Sequence, residues 1–289
     1  MVKFTRREML KATTLGTMSM GMSVAYSSNN EEKVIQGFDE TYSLTDTDAK
    51  WEPVSDRKIK VGIIGYGVCK FGAVFDFQNH PNVEVIAVSD LIPERCEALA
   101  RECRCNRTYP SLEELVKDKE IEAVFIATDA PSHCKHSILA MKHGKHVACA
   151  VPAVYGSLDD AYELYDTVKS TGLTYMLMET STYRNDCYAM RKLYQAGALG
   201  ELIYCEGEYY HYLEPPIDSF KGWRIGLPPQ WYPTHSNAYY ICVTGGYFTE
   251  VSCMGMPSKL PMLQKENNVY KNPFGTEIAL FRTKEGGMA

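Results

Sequence analysis

The chain has 289 residues, of which 45% are hydrophobic and 23% charged, and its net charge is −6. This length is enough for two domains of ordinary size. The acidic balance excludes the basic footprint of nucleic-acid-binding proteins. The 20 tyrosines suit carbohydrate contacts, because the ring packs on C–H faces while the hydroxyl forms hydrogen bonds, but they are equally typical of core and interface positions.

The N-terminus carries a targeting pattern. Arg6 and Arg7 precede a mildly apolar run over 12–25, which is too short to span a membrane. We therefore predict a twin-arginine signal peptide over 1–25 and export to a bacterial periplasm; the alternative is a chance basic N-terminus before a frayed helix. Residues 26–57 are polar and predict a linker or arm.

Strand and helix patterns alternate after residue 57. The apolar runs bounded by turn residues predict buried parallel strands over 58–64, 83–90, 123–128, 146–151 and 175–179. Helical patterns between them cover about 67–79, 92–103, 111–116, 132–143 and 158–170. This alternation predicts an α/β fold, a doubly wound parallel sheet, over 58–182.

The pattern changes in 183–289, where we predict a second, substrate-binding α+β domain with a mixed or antiparallel sheet. It starts with a helix over 186–196 and a long strand over 201–212, followed by a loop rich in proline and tryptophan and a helix over 236–243. The last residues, FRTKEGGMA, resemble a strand that enters a turn and stops. We expect this sheet to be incomplete at residue 289, because a hairpin without its return strand leaves an exposed edge.

Two glycines and an acid predict a dinucleotide site. Gly65 and Gly67 follow the first strand, where a tight turn lets the backbone approach a pyrophosphate, although Lys70 occupies the third glycine position. Asp90 ends the second strand, 25 residues after Gly65. A carboxylate there accepts hydrogen bonds from the adenosine ribose and disfavours a 2′-phosphate, so NAD is the predicted cofactor. The competing interpretation is that Asp90 only caps the helix near Pro93.

The ten cysteines contain no pair with CxxC spacing. Two pairs of histidines lie three residues apart, His133 with His136 and His143 with His146, and neither pair has a nearby set of carboxylates or cysteines that would complete a metal site. We therefore predict no metal site.

The motifs VGIIGYG, VIAVSD and ATDAPSHCKHSILAMKHGKHVACAVP resemble the Gfo/Idh/MocA family of sugar-type oxidoreductases from residue 58 onward. The resemblance implies that Thr128 and His133 touch the nicotinamide half of the cofactor and that Pro152 ends the cofactor-binding motif. Dehydrogenases of this family have Glu-Lys-Pro where this chain has Ala150, Val151 and Pro152. The family's Asp-x-x-x-His pair is also absent, because Trp231 lies four residues before His235.

The second half is similar to one branch of the family, the NAD-dependent glycosidases that act on N-acetylgalactosaminides. The similarity is carried by YMLMETSTYRNDCYAMRKLYQAGALGELIYCEGEYYHYL and WYPTH. This branch also has valine before the proline, so the missing lysine is compatible with activity. Ala150 replaces the branch's glutamate, and the residues after His235 depart from its glycine-rich continuation.

The resemblance implies redox-neutral glycoside cleavage. Hydride leaves C3 of the sugar, the resulting ketone acidifies the C2 proton, the glycosidic oxygen is eliminated, and water and hydride then return. By resemblance Tyr183 removes the C2 proton. His211 and His235 serve the C3 hydroxyl, the leaving oxygen or the sugar, and Tyr232 completes the predicted catalytic set.

Two other functions stay open at this stage. One is a net NAD-dependent sugar or polyol dehydrogenase, and the other is a non-catalytic sugar- or cofactor-binding protein. In each case the expected partner is a small carbohydrate, with no nucleic acid and no membrane span. The resemblance also implies a homo-oligomer that pairs through the open face of the second domain's sheet.

Overall fold

The structure is a computed structural model, and it describes residues 53–212 and 215–289. The predicted signal peptide over 1–25 and all but the last five residues of the predicted arm over 26–57 lie outside the described residues. None of the helices in the described part of the chain is long and apolar enough to cross a membrane.

Six parallel strands form the first sheet, and this confirms the predicted α/β class. The order is β3-β2-β1-β4-β5-β6, which is the order of a dinucleotide-binding doubly wound sheet. The strands are β1 Ile59–Ile64, β2 Val83–Ser89, β3 Thr108–Tyr109, β4 Ala123–Ile126, β5 His146–Ala150 and β6 Tyr175–Met178.

Helices cover both faces of this sheet. They are α1 Phe71–Val74, α2 Pro93–Glu102, α3 Leu112–Leu115, α4 His133–Lys142 and α5 Leu158–Thr171. Because side chains of a strand point alternately to opposite faces, Ile63 packs with Leu99 and Phe125 in one core, while Ile64 packs in a second core. The apolar runs read from the sequence are therefore strands buried on both faces.

The second half contributes two helices and a hairpin. These are α6 Asn185–Gln195, α7 Thr234–Thr244, β7 Phe248–Pro257 and β8 Phe274–Thr283. The two strands pair antiparallel in a separate sheet. Helices α6 and α7 are tied by Arg191, whose Nε donates to the Cys242 carbonyl at 2.6 Å.

Two predicted elements are wrong. The predicted strand over 201–212 has only one isolated bridge, between Tyr204 and Met288, because among the described residues no neighbouring strand offers it a ladder. Met288 also bridges to Arg282 of β8, so the last residues lie between β8 and this extended segment. The predicted helix over 67–79 shrinks to α1, since Lys70 and Asp76 adopt left-handed φ values of 54° and 62° on either side of it.

An aromatic cluster joins the first sheet to the second half. Tyr155, from the loop after β5, packs edge-on against Trp223 and Trp231 with ring centroids 5.8 and 5.3 Å apart. Its hydroxyl donates to the Tyr270 hydroxyl at 2.8 Å, and Tyr270 donates to the Trp223 carbonyl at 2.7 Å. We call Tyr155, Trp223, Trp231 and Tyr270 the aromatic joint.

Gly156 tests the packing of this joint. Its φ is +63°, and a Cβ there would lie 2.5 Å from the Trp231 ring. We expect Gly156→Ala to displace Trp231 and lower the free energy of unfolding by roughly 2–3 kcal/mol, the sum of a positive-φ penalty and overpacking. Gly172→Ala is the matched control, since its φ is +65° and no described atom lies within 4 Å of its Cβ, so it should cost about 1 kcal/mol. Chemical denaturation measures both, and equal losses would show that the Trp231 contact does not constrain the joint.

Candidate functional site

A cleft opens at the carboxyl edge of the parallel sheet, at the point between β1 and β4 where the strand order reverses. Its open space amounts to about 970 Å³, including the part that is continuous with solvent. This edge is where ligands bind in open α/β sheets. Residues from the second half line the same cleft, namely Asp218, Ser219, Phe220, Trp223 and Arg224.

Three glycines shape the floor of the cleft. A Cβ on Gly65 would lie 2.5 Å from the Ala127 carbonyl oxygen, so the turn after β1 can only be glycine. A Cβ on Gly67 would meet no described atom within 4 Å, which leaves room for a ligand to approach the backbone. Gly72, at the start of α1, would place a Cβ 2.4 Å from the Gly65 carbonyl oxygen. Gly72 therefore performs the close helix–strand packing of the third fingerprint glycine, two positions later than the motif predicts.

Asp90 lies directly after β2 and lines the cleft. Its Oδ2 accepts from the Tyr66 backbone N–H at 2.8 Å, and its Oδ1 accepts from the Ile92 N–H at 2.9 Å. The carboxylate thus ties the glycine turn to the next loop, and it makes no cap hydrogen bond within α2, whose N-cap is Ile92. Each oxygen keeps a further lone pair that can accept from a ribose hydroxyl. The open space at Gly67 and this carboxylate fit an NAD molecule.

Thr128 is also on the cleft, two residues after β4, and His136 of α4 is beside it. Thr128 Oγ1 and His136 Nδ1 are 2.9 Å apart. Burial lowers the pKa of His136, so at neutral pH this ring is uncharged. His136 was not among the predicted residues, because one histidine on a helical pattern carries no signal that distinguishes it from a structural one.

His133 does not line the cleft, although the resemblance implies that it touches the nicotinamide half of the cofactor. Its side chain is 2% exposed, with Nδ1 2.8 Å from the Pro152 carbonyl oxygen and Nε2 3.0 Å from the Thr128 carbonyl oxygen. Pro152 is likewise buried, and it holds His133 through its backbone. The ring therefore fixes the end of β4 to the loop after β5, and it reaches a cofactor only through Thr128.

The two carbonyl oxygens beside His133 are both acceptors, so both ring nitrogens must be donors. Only the protonated imidazole has two N–H donors. Burial opposes that charge, but the Cys149 sulfur and the two carbonyls outweigh it and raise the pKa of His133 to about 9.

Val151 occupies the position of the family's lysine, and its backbone carbonyl contacts the second half of the chain. The Tyr232 hydroxyl donates to the Val151 carbonyl at 3.2 Å. Burial raises the pKa of Tyr232 to about 12, against the opposing effect of Arg224. The structure thus presents Tyr232 as a neutral, anchored phenol and not as a base.

Glu179 and His235 form a buried pair beside the cleft. Glu179 follows β6, and its Oε1 is 2.7 Å from His235 Nδ1 and accepts from the Ser181 N–H at 2.9 Å. The residue is only 5% exposed. Burial disfavours its charge, but the hydrogen bonds from His235 and Ser181 dominate and lower the pKa of Glu179. The carboxylate is therefore ionised at neutral pH.

His235 lines a second concavity, which we call the histidine pocket. Its other lining residues are Thr180, Ser181, Arg184, Glu208, Tyr209 and Tyr239. The Tyr209 ring lies against the imidazole, with centroids 4.6 Å apart. Arg224 connects this pocket to the cleft: it lines the cleft, stacks 4.2 Å from the Trp223 ring and acts electrostatically on Tyr209 and Tyr232.

Tyr183 and His211 lie outside this cluster, so the structure does not bring the four predicted catalytic residues together. Tyr183 ends the short turn after β6 and is 56% exposed. Burial and the nearby Cys242 raise its pKa while Arg191 lowers it, which places the phenol on the α6–α7 side. His211 is exposed in the extended segment, with its ring 5.9 Å from Tyr209.

Glu179 is a site residue that the sequence did not single out. A signal was present, because an acid directly after a buried strand at the carboxyl edge is typical of functional positions. Its partner His235 lies 56 residues away, however, so the pairing appears only in the fold. Asp218, Ser219 and Phe220 were also missed, because nothing local shows that a loop of the second half covers the cleft.

Comparison with known protein families gives a match over the residues of the parallel sheet. Residues 59–179 match the model of the Gfo/Idh/MocA oxidoreductase family, NAD-binding Rossmann fold. The match confirms the predicted resemblance to that family and the predicted cofactor, NAD.

The chain is similar in sequence to proteins named as glycosyl hydrolases, and it shares its fold with an inositol dehydrogenase. A protein of Bacteroides fragilis named glycosyl hydrolase family 109 protein 1 is 34% identical over 165 residues, which cover 54% of this chain and 35% of that protein. A family 109 protein of Solibacter usitatus is 25% identical over 99% of this chain and 68% of its own length. The match to the first relative thus spans about a third of that protein. Myo-inositol 2-dehydrogenase from Lactobacillus plantarum shares the fold, with a TM-score of 0.67 at 20% identity over 81% of this chain and 68% of its own.

A substitution at Gly67 tests whether the turn after β1 binds the cofactor. Because a Cβ at this position meets no described protein atom, Gly67→Ala should cost only the positive-φ penalty of about 1 kcal/mol, yet it should weaken NAD binding at least about tenfold by crowding the ligand. Gly144→Ala, at φ +78° with equally open surroundings, should lose the same stability and keep its NAD affinity. Calorimetric titration with NAD and denaturation measure the two effects, and equal NAD affinities in both variants would exclude Gly67 from the cofactor site.

His133 gives the fold a pH dependence. Its pKa rises from about 6.5 in the unfolded chain to about 9 in the fold, so its stabilisation is complete below pH ~6.5 and is lost as the pH rises through ~9. The loss has an upper limit of roughly 3 kcal/mol. In His133→Gln this slope should disappear, while His143→Gln, at an exposed position, should retain it. Unfolding measured from pH 6 to 10 checks this, and an unchanged slope in His133→Gln would show that the ring is neutral in the fold.

Proposed function

We propose that this chain carries out NAD-dependent hydride chemistry on a carbohydrate, and that its net reaction is redox-neutral cleavage of a glycoside. The NAD-binding domain and the relatives named as glycosyl hydrolases support this proposal. Export by a twin-arginine signal remains part of the proposal.

The observation that carries this proposal is that a segment of the second half covers the cofactor cleft. Five residues of the segment 218–224 line the same cleft as Gly65 and Asp90. The aromatic joint fastens that segment to the first domain through Tyr155 and Trp223. A net dehydrogenase must release reduced cofactor in every turnover. A redox-neutral enzyme keeps its cofactor through the cycle, and a fastened cover suits that requirement.

The side chains around the cleft and the histidine pocket have different roles in this reaction. Bound NAD supplies reversible hydride acceptance. Arg224, between the cleft and the histidine pocket, is placed to hold a sugar oxygen. Tyr232 holds the end of β5 and stays neutral. His235, with Nδ1 occupied by Glu179, presents Nε2 as the proton acceptor. No lysine is needed at position 151 in this arrangement.

The test uses the protein purified without added cofactor. It is incubated with nitrophenyl glycosides and with the matching free sugars, while nitrophenol release and NADH absorbance are followed together. We expect nitrophenol without accumulation of NADH. The variant His235→Gln should lose at least about 10²-fold in kcat, the usual effect of removing a general base, whereas His143→Gln should not.

Two results would contradict the proposal. Accumulation of NADH from a free sugar would make the protein a net dehydrogenase, as its structural relationship to inositol dehydrogenases also allows. Bound NAD with no turnover of any sugar would make it a binding protein.

A further inference from the structure

We propose that Glu179 is a positioning residue that fixes His235 in the tautomer with Nδ1 protonated, so that Nε2 is a proton acceptor facing the histidine pocket. This inference rests on the proposed function for its catalytic consequence, but the tautomer itself can be observed without turnover.

The first argument is the fixed position of the carboxylate. Glu179 comes directly after β6, whose register with β5 runs through Ala150 and Met178, so its backbone is held by the parallel sheet. The Ser181 N–H donates to the same Oε1 at 2.9 Å. The side chain is 7% exposed, and moving it would leave a charge buried without a partner.

The second argument is the direction of the hydrogen bond. An ionised carboxylate has no proton to donate, so His235 Nδ1 must be the donor across the 2.7 Å contact. In the neutral ring, Nε2 then carries the lone pair. Within the part of the chain that the structure describes, no hydrogen bond is formed to Nε2. The ring is held further by Tyr209, whose centroid lies 4.6 Å away.

The third argument concerns the charge that follows proton transfer. A proton leaving a substrate oxygen or carbon moves to Nε2, and its electron pair stays on the substrate. The resulting imidazolium lies against the Glu179 carboxylate, which stabilises it. The other charged or titratable groups around the ring form no hydrogen bond to it among the described residues. On α7 itself this group is Tyr239, and from other segments they are Arg184, Glu208, Tyr209, Arg224 and Tyr232.

The substitution Glu179→Gln tests the role with little change of shape. A glutamine oxygen can accept from Nδ1–H and can still accept from Ser181, but its amide nitrogen can also donate to a bare Nδ1. Both tautomers of His235 then become accessible. We expect ¹⁵N spectra of histidine-labelled protein to show protonated Nδ1 in the wild type and a mixture in the variant, with kcat reduced about 10²–10⁴-fold and KM changed less than about threefold.

Glu206→Gln is the control, because Glu206 is exposed and bonds to the Tyr204 hydroxyl at 3.0 Å, away from His235; it should alter neither spectrum nor kcat. Glu179→Asp should retain the wild-type tautomer and recover part of kcat. Thermal unfolding of each variant separates loss of the fold from loss of the pair.

An unchanged tautomer in Glu179→Gln would overturn the inference, whatever the activity. A mixed tautomer with unchanged kcat would also overturn it, since the tautomer would not matter to the reaction. If the wild type turns over no glycoside, the proposed function fails while the spectra still decide whether Glu179 sets the tautomer.

Discussion

The bridge made by His133 is the interaction on which the two halves of the site depend. Its ring joins the Thr128 carbonyl after β4 to the Pro152 carbonyl after β5. Thr128 borders the cofactor cleft and orients His136, whereas Pro152 follows Val151, the anchor of Tyr232. Because a charged ring between two buried carbonyls has no alternative partner at comparable cost, the cofactor side and the substrate side keep one relative position.

The sequence was informative where the determinants of structure are local. A strand buried on both faces reads as an apolar run, and Ile63 and Ile64 enter opposite cores simply because strand side chains alternate. The glycine turn and Asp90 were predictable for the same reason, since a positive φ and an acid at a strand end depend on few neighbours. The first sheet and the position of the cofactor cleft therefore followed from pattern alone.

The remaining features depend on which segments meet, and a single sequence does not show this. Residues 201–212 have the composition of a strand, but a strand exists only with a hydrogen-bonding partner. The resemblance predicts a catalytic Tyr183, yet its turn directs the side chain to the α6–α7 side. Glu179, four residues earlier, points inward to His235. A shift of one turn along the chain thus decided which side chain joins the site, and local pattern carries no information about it.

Under the function that we propose, the absence of a lysine at position 151 is a change in how a proton acceptor is supplied. A lysine on the loop after β5 would need a lowered pKa to act as a base, and the chain instead has an aliphatic residue whose carbonyl is occupied by Tyr232. In that proposal the base is His235 of α7, held by Glu179 directly after β6. Neither β6 nor α7 belongs to the loop after β5, which carries Tyr155 of the aromatic joint. The position of the base is therefore fixed separately from the segment that covers the cofactor cleft. Such a separation suits a cycle in which protons enter and leave while the cofactor stays bound.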